Sequence, residues 1–311
     1  MSKLLVVFGA TGQQGGSIVD FVLNDPELSR EYSLRAITRD ASRPAAQELQ
    51  RRGVEIVTAD VDDSASMPAA LAHAHTVFLV TNSIYGDELK TREFRQAKNV
   101  ADTAVAAGAQ YIIFSTCVAA ERLWGQPVAG FDSKADIEDY IRALPVQSAF
   151  FAPGMFMQNF LTNQSPRPVA GEGNEGLYAF ANFISPDTLF PCIDTVHDSG
   201  KYVGAILAEP EKYAGTILCA STGFYSYRQC AEIISRVTGK KTVYTQLSEE
   251  QWASYLPPGS EPLTAMFRFM ESHGYYGPQS QERVEWTAQR ARGKLTTFEE
   301  FVERHAKQLF E

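Results

Sequence analysis

Three glycines near the start of the chain have the spacing of a loop that holds a phosphate group. Gly9, Gly12 and Gly15 follow the apolar run at residues 4–8 and precede a helix-compatible stretch at residues 17–23. In such a loop the glycines permit the tight turn off a buried strand, the approach of the backbone to a pyrophosphate, and close packing of the helix. Backbone N–H groups at the helix start then face the phosphate. The pattern predicts a dinucleotide site, although similar turns also join strands to helices in proteins that bind no nucleotide.

The end of the second predicted strand bears on which dinucleotide binds. In NAD-specific sheets of this kind, the second strand usually ends on Asp or Glu, which accepts hydrogen bonds from the ribose hydroxyls. Here the strand ends Thr38-Arg39, and Arg43 follows four residues later. A guanidinium pairs with a 2′-phosphate through two parallel hydrogen bonds, so we expect NADP(H). Asp40 could fold back on Arg39 or serve the ribose itself, and two exposed arginines at a helix start are the alternative interpretation.

A repeated strand–helix pattern must position these residues, and the first half of the chain has one. Short apolar runs alternate with amphipathic stretches, which is typical of βα units on a parallel sheet. We predict strands at residues 4–8, 33–38, 55–58, 76–80, 111–115 and 147–151, with helices near 13–24, 43–52, 66–73, 88–107 and 132–143. The fold class is therefore α/β, a doubly wound parallel sheet whose ligand lies at the carboxyl ends of the strands.

The pattern changes after Pro153, where proline and glycine become frequent between residues 164 and 191. These loops predict a substrate lobe beside the sheet, with further helices at residues 226–238 and 297–310. We expect a nucleotide-binding domain at residues 1–153, joined by returning segments from about 190–240. Residues 154–311 would form the lobe and the C-terminal helices.

Composition narrows the class of protein. The 311 residues carry 28 Lys and Arg against 37 Asp and Glu, a net charge of −9, without a run of basic residues. This balance argues against direct binding to nucleic acid or an anionic membrane. The first apolar run is too short for a signal peptide or a membrane span, so we expect a protein of the cytoplasm or the nucleus. The cysteines form no CxxC pair, which predicts free thiols and no metal site.

Further short blocks resemble the NmrA-like family of atypical short-chain dehydrogenases. They are residues 7–16 (VFGATGQQGG), Thr38-Arg39, 59–63 (ADVDD), 80–82 (VTN), 131–134 (FDSK), 156–159 (FMQN), 274–277 (GYYG) and 295–298 (LTTF). Together they are far more specific than the glycine loop alone, and the resemblance runs nearly to the end of the chain. It implies a Rossmann domain with a smaller mixed C-terminal substrate lobe.

The resemblance also implies which residues contact NADP(H). The glycine loop would hold the pyrophosphate, and Arg39 and Arg43 would bind the 2′-phosphate. Asp60 and Val61 would flank the adenine, and Lys98 and Lys134 would reach the ribose or the phosphates. Residues 156–159 would close over the nicotinamide side. The expected contacts are Gly9, Thr11, Gly12, Gln13, Gln14, Gly15, Arg39, Arg43, Asp60, Val61, Thr81, Asn82, Ser83, Lys98, Lys134, Phe156, Met157, Gln158 and Asn159. Asn159 could instead be an amide that caps a loop.

The usual general acid of short-chain dehydrogenases is missing from its place. In their motif Tyr-x-x-x-Lys, the lysine lowers the pKa of the tyrosine so that the phenol can pass a proton to a carbonyl oxygen. Here Gly130 stands four residues before Lys134. Family members divide into NADPH-dependent reductases in which the lysine works alone and proteins that bind NADP(H) to sense redox state. Lys134 is therefore the implied catalytic residue, or a lysine that serves only the ribose.

A substrate pocket is predicted from one thiol and several aromatic side chains. Its members are Cys117, Trp124, Phe131, Tyr275 and Tyr276. Aromatic groups beside an active site suit a bulky planar substrate, but they suit a hydrophobic core equally well, and Cys117 could be a small buried filler.

Two functions remain open. One is an NADPH-dependent reductase of a small or mid-sized organic molecule, an imine, enone or carbonyl of secondary metabolism, with ring closure of an imine as a variant. The other is a redox sensor that binds NADP(H) and regulates a transcription factor or another protein partner.

Overall fold

The computed structural model describes residues 2–311, and within that range a seven-stranded parallel sheet organises the fold. The strands are β1 Lys3–Phe8, β2 Tyr32–Thr38, β3 Glu55–Thr58, β4 Thr76–Leu79, β5 Tyr111–Ser115, β6 Gln147–Pro153, β7 Met155–Phe156, β8 Arg167–Pro168, β9 Tyr178–Asn182, β10 Leu189–Ile193, β11 Ile217–Ala220, β12 Gly223–Ser226 and β13 Thr242–Gln246. The large sheet has the order β11-β6-β5-β4-β1-β2-β3, and two small sheets have the orders β12-β10-β7 and β13-β9-β8.

Helices cover the large sheet and build the rest of the chain. They are α1 Gln13–Asn24, α2 Leu28–Glu31, α3 Pro44–Arg51, α4 Met67–Leu71, α5 Leu89–Ala106, α6 Ala120–Trp124, α7 Ala129–Arg142, α8 Thr195–Ala208, α9 Pro210–Tyr213, α10 Tyr227–Thr238, α11 Glu249–Tyr255, α12 Pro262–His273, α13 Ser280–Ala288 and α14 Phe298–His305. The α/β class and the doubly wound sheet are confirmed.

Alternation along the central strand explains why both faces of the sheet are covered. In β1, Leu5 and Val7 belong to the hydrophobic cluster under α1 and α8, whereas Val6 and Phe8 belong to the cluster on the opposite face. Successive side chains of a strand point to opposite faces, so an uninterrupted apolar run indicates a strand that is buried on both sides. A third cluster, rich in aromatic residues, forms the core of the C-terminal lobe.

The structure differs from the sequence prediction in two elements near the site. Strand β11 pairs in parallel with β6 and extends the large sheet by one strand that we did not predict. Its apolar run is only four residues long, and its place depends on α8, which brings the chain back against α1. Helix α7 begins at Ala129, three residues before the predicted start, so Gly130 lies in its first turn.

Within residues 2–311, no helix combines the length and the apolar character that crossing a membrane requires. In the same range, no three His, Cys, Asp or Glu side chains lie together as ligands for a metal ion.

Candidate functional site

The glycine loop between β1 and α1 has the geometry that its sequence predicts. Gly9 has a φ of +68°, and a Cβ at this position would lie 2.8 Å from Cγ1 of Val80. A Cβ on Gly15 would lie 2.3 Å from the carbonyl oxygen of Gly9, which is far inside van der Waals contact. The Gly12 N–H donates to the same carbonyl at 2.9 Å and closes the turn. Glycine is therefore required here for the turn and for the close approach of α1.

A cleft of about 230 Å³ runs along the carboxyl ends of β1, β2, β3 and β4. It contains eight of the residues that we predicted as cofactor contacts: Gly9, Thr11, Arg39, Arg43, Asp60, Val61, Thr81 and Asn82. Parallel strands place the residues that follow them at one edge of the sheet, so four loops distant in sequence meet in one cleft.

The two arginines at the second strand lie at the cleft with different partners. Arg43 approaches the carboxylate of Asp40 at 3.8 Å. Asp40 in turn accepts hydrogen bonds from the hydroxyl and the amide of Ser42, which lower the pKa of Asp40. Among residues 2–311, Arg39 forms no ion pair with a carboxylate, so its guanidinium is free to bind an anion. Asp40 therefore does not fold back on Arg39.

The end of the cleft near Asp60 and Val61 contains an ion pair that we did not predict. Arg92 on α5 donates to Asp62 at 2.8 Å, and both side chains are partly exposed at the cleft. Hydrogen bonds from Arg92 and Gln96 hold the pKa of Asp62 at about 2. Asp62 lies in the block at residues 59–63, but its partner lies thirty residues later, so no local pattern could indicate the pair.

Lys134 is the centre of a polar cluster beside the cleft. Its Nζ donates to Glu93 at 2.7 Å, to Ser83 at 3.0 Å and to Thr81 at 3.2 Å. The Ser83 hydroxyl also donates to Glu93, at 2.9 Å. Only 13% of the Lys134 side chain is exposed, and 2% of that of Glu93. Thr81 belongs to both the cleft and this cluster, so the Lys134 ammonium lies at the edge of the cleft.

Glu93 is the functional residue that the sequence analysis missed, although a signal was present. On α5 the buried positions include Leu89, Glu93, Gln96, Ala97 and Val100. A carboxylate on the buried face of an amphipathic helix is costly unless it is paired, so its position alone indicates a buried partner.

The polar end of β5 is tied to the glycine loop. The buried Ser115 donates to Gln14 at 2.7 Å, which joins β5 to the first turn of α1. Cys117 follows two residues later and is half-buried. Burial raises the pKa of the Cys117 thiol to about 12, so it is not a nucleophile at neutral pH.

Other predicted contacts lie outside the cleft. Lys98 binds Asp102 and donates to the Tyr140 hydroxyl at 2.8 Å, on the outer side of α5. Gln158 is buried, where it donates to Asp194 at 2.7 Å, and Met157 is buried in the core of the lobe. Phe156 is partly buried and packs against the core under the sheet. The backbone carbonyl of Asn159, not its side-chain amide, accepts hydrogen bonds from the N–H groups of Thr162 and Gln164. The structure thus does not bring Lys98 or residues 156–159 to the cleft.

The predicted aromatic residues pack on one another. The ring of Phe131 packs edge-on against Tyr275 and Phe269, with ring centroids 5.4 Å and 6.0 Å apart. The ring centroids of Trp124 and Phe269 are 6.3 Å apart. The Tyr275 and Tyr276 hydroxyls donate to backbone carbonyls of β6. Burial raises the pKa of both tyrosines well above 10. These rings therefore pack on one another, and Tyr276 also lines a cavity.

A larger cavity, of about 630 Å³, lies beside Cys117 and shares no lining residue with the cleft. Its lining includes Cys117, Arg122, Glu138, Tyr276 and Arg283, contributed by the end of β5, by α6 and α7, and by the segment around α13. Cavities of this size accommodate drug-sized organic molecules.

Sequence comparisons place the chain beside a group of fungal and amoebal proteins. The model of the NmrA-like family matches residues 1–302. An NmrA-like family domain-containing oxidoreductase of Penicillium ochrochloron is 31% identical over 290 residues, which cover 88% of this chain and 85% of that protein. An NmrA-like family domain-containing protein of Dictyostelium discoideum is 27% identical and covers 98% of both chains.

Solved structures share the fold over nearly the whole chain. The negative transcriptional regulator NmrA in complex with NADP superposes with a TM-score of 0.81, at 23% identity, and covers 97% of this chain and 94% of its own. The triphenylmethane reductase of Citrobacter sp. with NADP(H) has a TM-score of 0.76 at 21% identity and covers 98% and 99%.

Proposed function

Because the chain belongs to the NmrA-like family, we propose that it is an NADP(H)-dependent oxidoreductase of a small or mid-sized organic molecule. The observation that carries the proposal is the double role of Thr81, which lines the cleft and accepts a hydrogen bond from Lys134. The cleft and a mostly buried ammonium group therefore adjoin. The substrate class that we propose is an imine, an enone or a carbonyl compound of secondary metabolism.

The residues at the cleft fit a nucleotide with a 2′-phosphate. Gly9 makes the turn, and the absence of a side chain at Gly15 lets α1 start close to it. The backbone N–H groups at the start of α1 can then bind a pyrophosphate. Arg39, which pairs with no carboxylate within residues 2–311, supplies the planar donor that a phosphate prefers. The carboxylates at this end are already engaged, since Asp40 binds Ser42 and Asp62 binds Arg92.

Residues of the chain would stabilise charge on the substrate and bind it. When bound, the reduced nicotinamide supplies a hydride to the substrate. Lys134 presents a positive charge at the edge of the cleft, where it can stabilise negative charge that develops on a substrate oxygen or nitrogen. The cavity beside Cys117 provides room for the substrate. The Cys117 thiol is protonated and does not react with the substrate.

The cofactor preference is tested by exchanging one charge. We expect the wild type to bind NADP more tightly than NAD, and Arg39→Asp to weaken NADP binding by about tenfold to a hundredfold, because a charged hydrogen-bond partner is replaced by a repelling carboxylate. Isothermal titration calorimetry with both nucleotides measures the change. Arg51→Asp is the matched control, since Arg51 is an exposed arginine of α3 outside the cleft that pairs with Glu48. Equal affinity of the wild type for both nucleotides contradicts the proposal.

The enzymatic activity is tested by NADPH consumption with panels of imines, enones and quinones. Turnover of at least one class supports the reductase. One observation favours the alternative, a redox sensor with a protein partner: the Lys134 ammonium already donates to Thr81, Ser83 and Glu93. Tight NADPH binding without turnover, joined to NADP-dependent binding of a protein partner, would support that alternative.

A further inference from the structure

Gly130 leaves a space on α7 at the position from which a Tyr-x-x-x-Lys tyrosine would project. Gly130 and Lys134 lie one helical turn apart, so both positions share one face of α7. A Cβ placed on Gly130 would lie 3.3 Å from the phenolic oxygen of Tyr85 and 3.8 Å from its Cε1. The phenol of Tyr85 therefore lies against the helix where the missing side chain would begin.

Tyr85 approaches α7 from the loop between β4 and α5, the loop that also supplies partners to Lys134. Along this loop, Thr81, Ser83 and Tyr85 are partly buried, whereas Asn82 and Ile84 between them are exposed. Thr81 and Ser83 both contact the Lys134 ammonium. Tyr85 therefore follows Thr81 and Ser83 on the same loop, and its ring lies against α7 at Gly130.

The Tyr85 hydroxyl carries its proton at neutral pH. Burial, with the nearby Cys117 and Glu93 adding to the effect, raises the pKa of Tyr85 to about 12, which keeps the phenol protonated but makes it a weaker acid than a tyrosine whose pKa is lowered by an ammonium group. Among residues 2–311, its hydroxyl makes no hydrogen bond, whereas the hydroxyls of Tyr275 and Tyr276 donate to backbone carbonyls. The Tyr85 proton is therefore not committed to a protein acceptor.

We propose that Tyr85, approaching from a different element, takes the place of the missing tyrosine and is the general acid of the reductase. The inference rests on the proposed function. The substrate is a compound with a C=O or C=N bond. Its carbon gains a hydrogen and two electrons from the reduced nicotinamide, its oxygen or nitrogen gains the phenolic proton of Tyr85, and the double bond becomes single. The resulting phenolate is reprotonated from solvent.

The test compares wild type, Tyr85→Phe and Tyr178→Phe with an acceptor that the wild type reduces. Tyr178 on β9 is the matched control, because it is also partly buried, its hydroxyl has no hydrogen bond within the described residues, and its ring packs on Phe310 in the lobe. We expect Tyr85→Phe to lower kcat by about a hundredfold or more at saturating NADPH. Calorimetry should give an NADPH Kd within twofold of the wild type, and Tyr178→Phe should retain wild-type turnover.

The outcomes separate the two proposals. Tyr85→Phe with kcat within threefold of the wild type overturns the assignment of Tyr85 and leaves the reductase standing. A wild type that reduces no acceptor contradicts the proposed function itself, and the assignment of Tyr85 fails with it. Circular dichroism of each variant shows that lost turnover is not lost folding.

A second readout does not depend on activity. In protein labelled with 13C at tyrosine Cζ, the signal of Tyr85 is identified by its absence from Tyr85→Phe. We expect this signal to shift when Lys134→Met is combined with Glu93→Gln, and to keep its position in Lys90→Met, which removes a lysine from α5 that pairs with Asp136 outside the cluster. An unchanged Tyr85 signal in the variant with both changes overturns the proposal.

Discussion

The ion pair of Lys134 and Glu93 determines how any experiment at this site must be designed. Glu93 is almost fully buried, and its Oε2 has no hydrogen-bond partner within residues 2–311. Removing one member of a buried pair leaves the other charged and unpaired, which costs far more than the pair itself contributes. Lys134→Met alone would therefore mix a loss of stability with any loss of catalysis. The change that separates the two effects is Lys134→Met together with Glu93→Gln.

We expect a double-mutant cycle on this pair to give a coupling free energy of about 1–3 kcal/mol, because the charges are in contact and shielded from water. Urea unfolding of wild type, Lys134→Met, Glu93→Gln and the double variant measures it. The exposed pair Lys90–Asp136 joins the same two helices at 3.0 Å and is the control. Its cycle with Lys90→Met and Asp136→Asn should give a coupling of about 0–1 kcal/mol. Equal coupling in the two cycles would show that burial does not strengthen the Lys134 pair.

At the scale of elements, the contact between α1 and α8 sets the position of the glycine loop. A Cβ on Gly200 of α8 would lie 2.3 Å from the Ser17 carbonyl oxygen and 2.4 Å from Cβ of Phe21, both on α1. The Gly200 N–H also donates to the Ser17 hydroxyl at 3.0 Å. The two helices are thus packed at a distance that only glycine permits, and α1 carries the loop with it.

We expect Gly200→Ala to lower the free energy of unfolding by about 1–3 kcal/mol, because the added methyl group must push α8 away from α1. Gly16→Ala is the control on α1, where the new Cβ would meet its nearest neighbour at 3.4 Å, an ordinary contact. There the gain in helix propensity should leave stability unchanged or raise it by about 0.5–1 kcal/mol. Thermal and urea unfolding measure both variants. Equal stability of Gly200→Ala and wild type would contradict the tight packing.

The comparison of sequence and structure shows what local pattern can predict. The six predicted strands and the helices between them are all present. Buried parallel strands and amphipathic helices can be predicted because the spacing of their own apolar residues shows which faces are buried. Ser226 caps α10 with a full capping box, and Gly239 ends that helix with φ +71°, as their types predict. Arg92 and Tyr85 were missed because each takes its role from a partner far away in the sequence, whereas Glu93 was missed although its place on the buried face of α5 indicates a buried partner.

At the scale of the whole molecule, Asp194 joins the lobe to the nucleotide-binding sheet. Its buried carboxylate accepts hydrogen bonds from Gln158 at 2.7 Å, from Arg304 at 2.8 Å and from His197, whose ring nitrogen lies at 2.9 Å. Asp194 also caps α8, the helix that packs on α1. Gln158 and Arg304 come from segments that pack in the core of the lobe. One carboxylate therefore connects the lobe to the part of the chain that carries the cleft.

This carboxylate gives stability a predictable pH dependence. Burial raises the pKa of Asp194, but hydrogen bonds from His197 and Gln158 and the charge of His197 outweigh it, and the net pKa lies below 3.8. The pKa of Asp194 in the folded protein is lower than its unfolded value of about 3.9. Its contribution to the free energy of unfolding is therefore fully present above about pH 3.9 and is lost as the pH falls through the folded pKa.

We expect Asp194→Asn to lower the free energy of unfolding at pH 7 by about 2–4 kcal/mol, because Arg304 loses a buried charged partner. The difference between variant and wild type should narrow at pH 3, because below about pH 3.9 the unfolded wild type takes up a proton that folded Asp194, with its lowered pKa, takes up only at a lower pH. Asp187→Asn is the control, because Asp187 forms an exposed pair with Arg228 and its loss should have a much smaller effect. Urea unfolding at both pH values measures the four differences. A loss in Asp194→Asn of the same size at pH 3 as at pH 7 would show that its charge does not hold the two parts together, and that its role is only to cap α8.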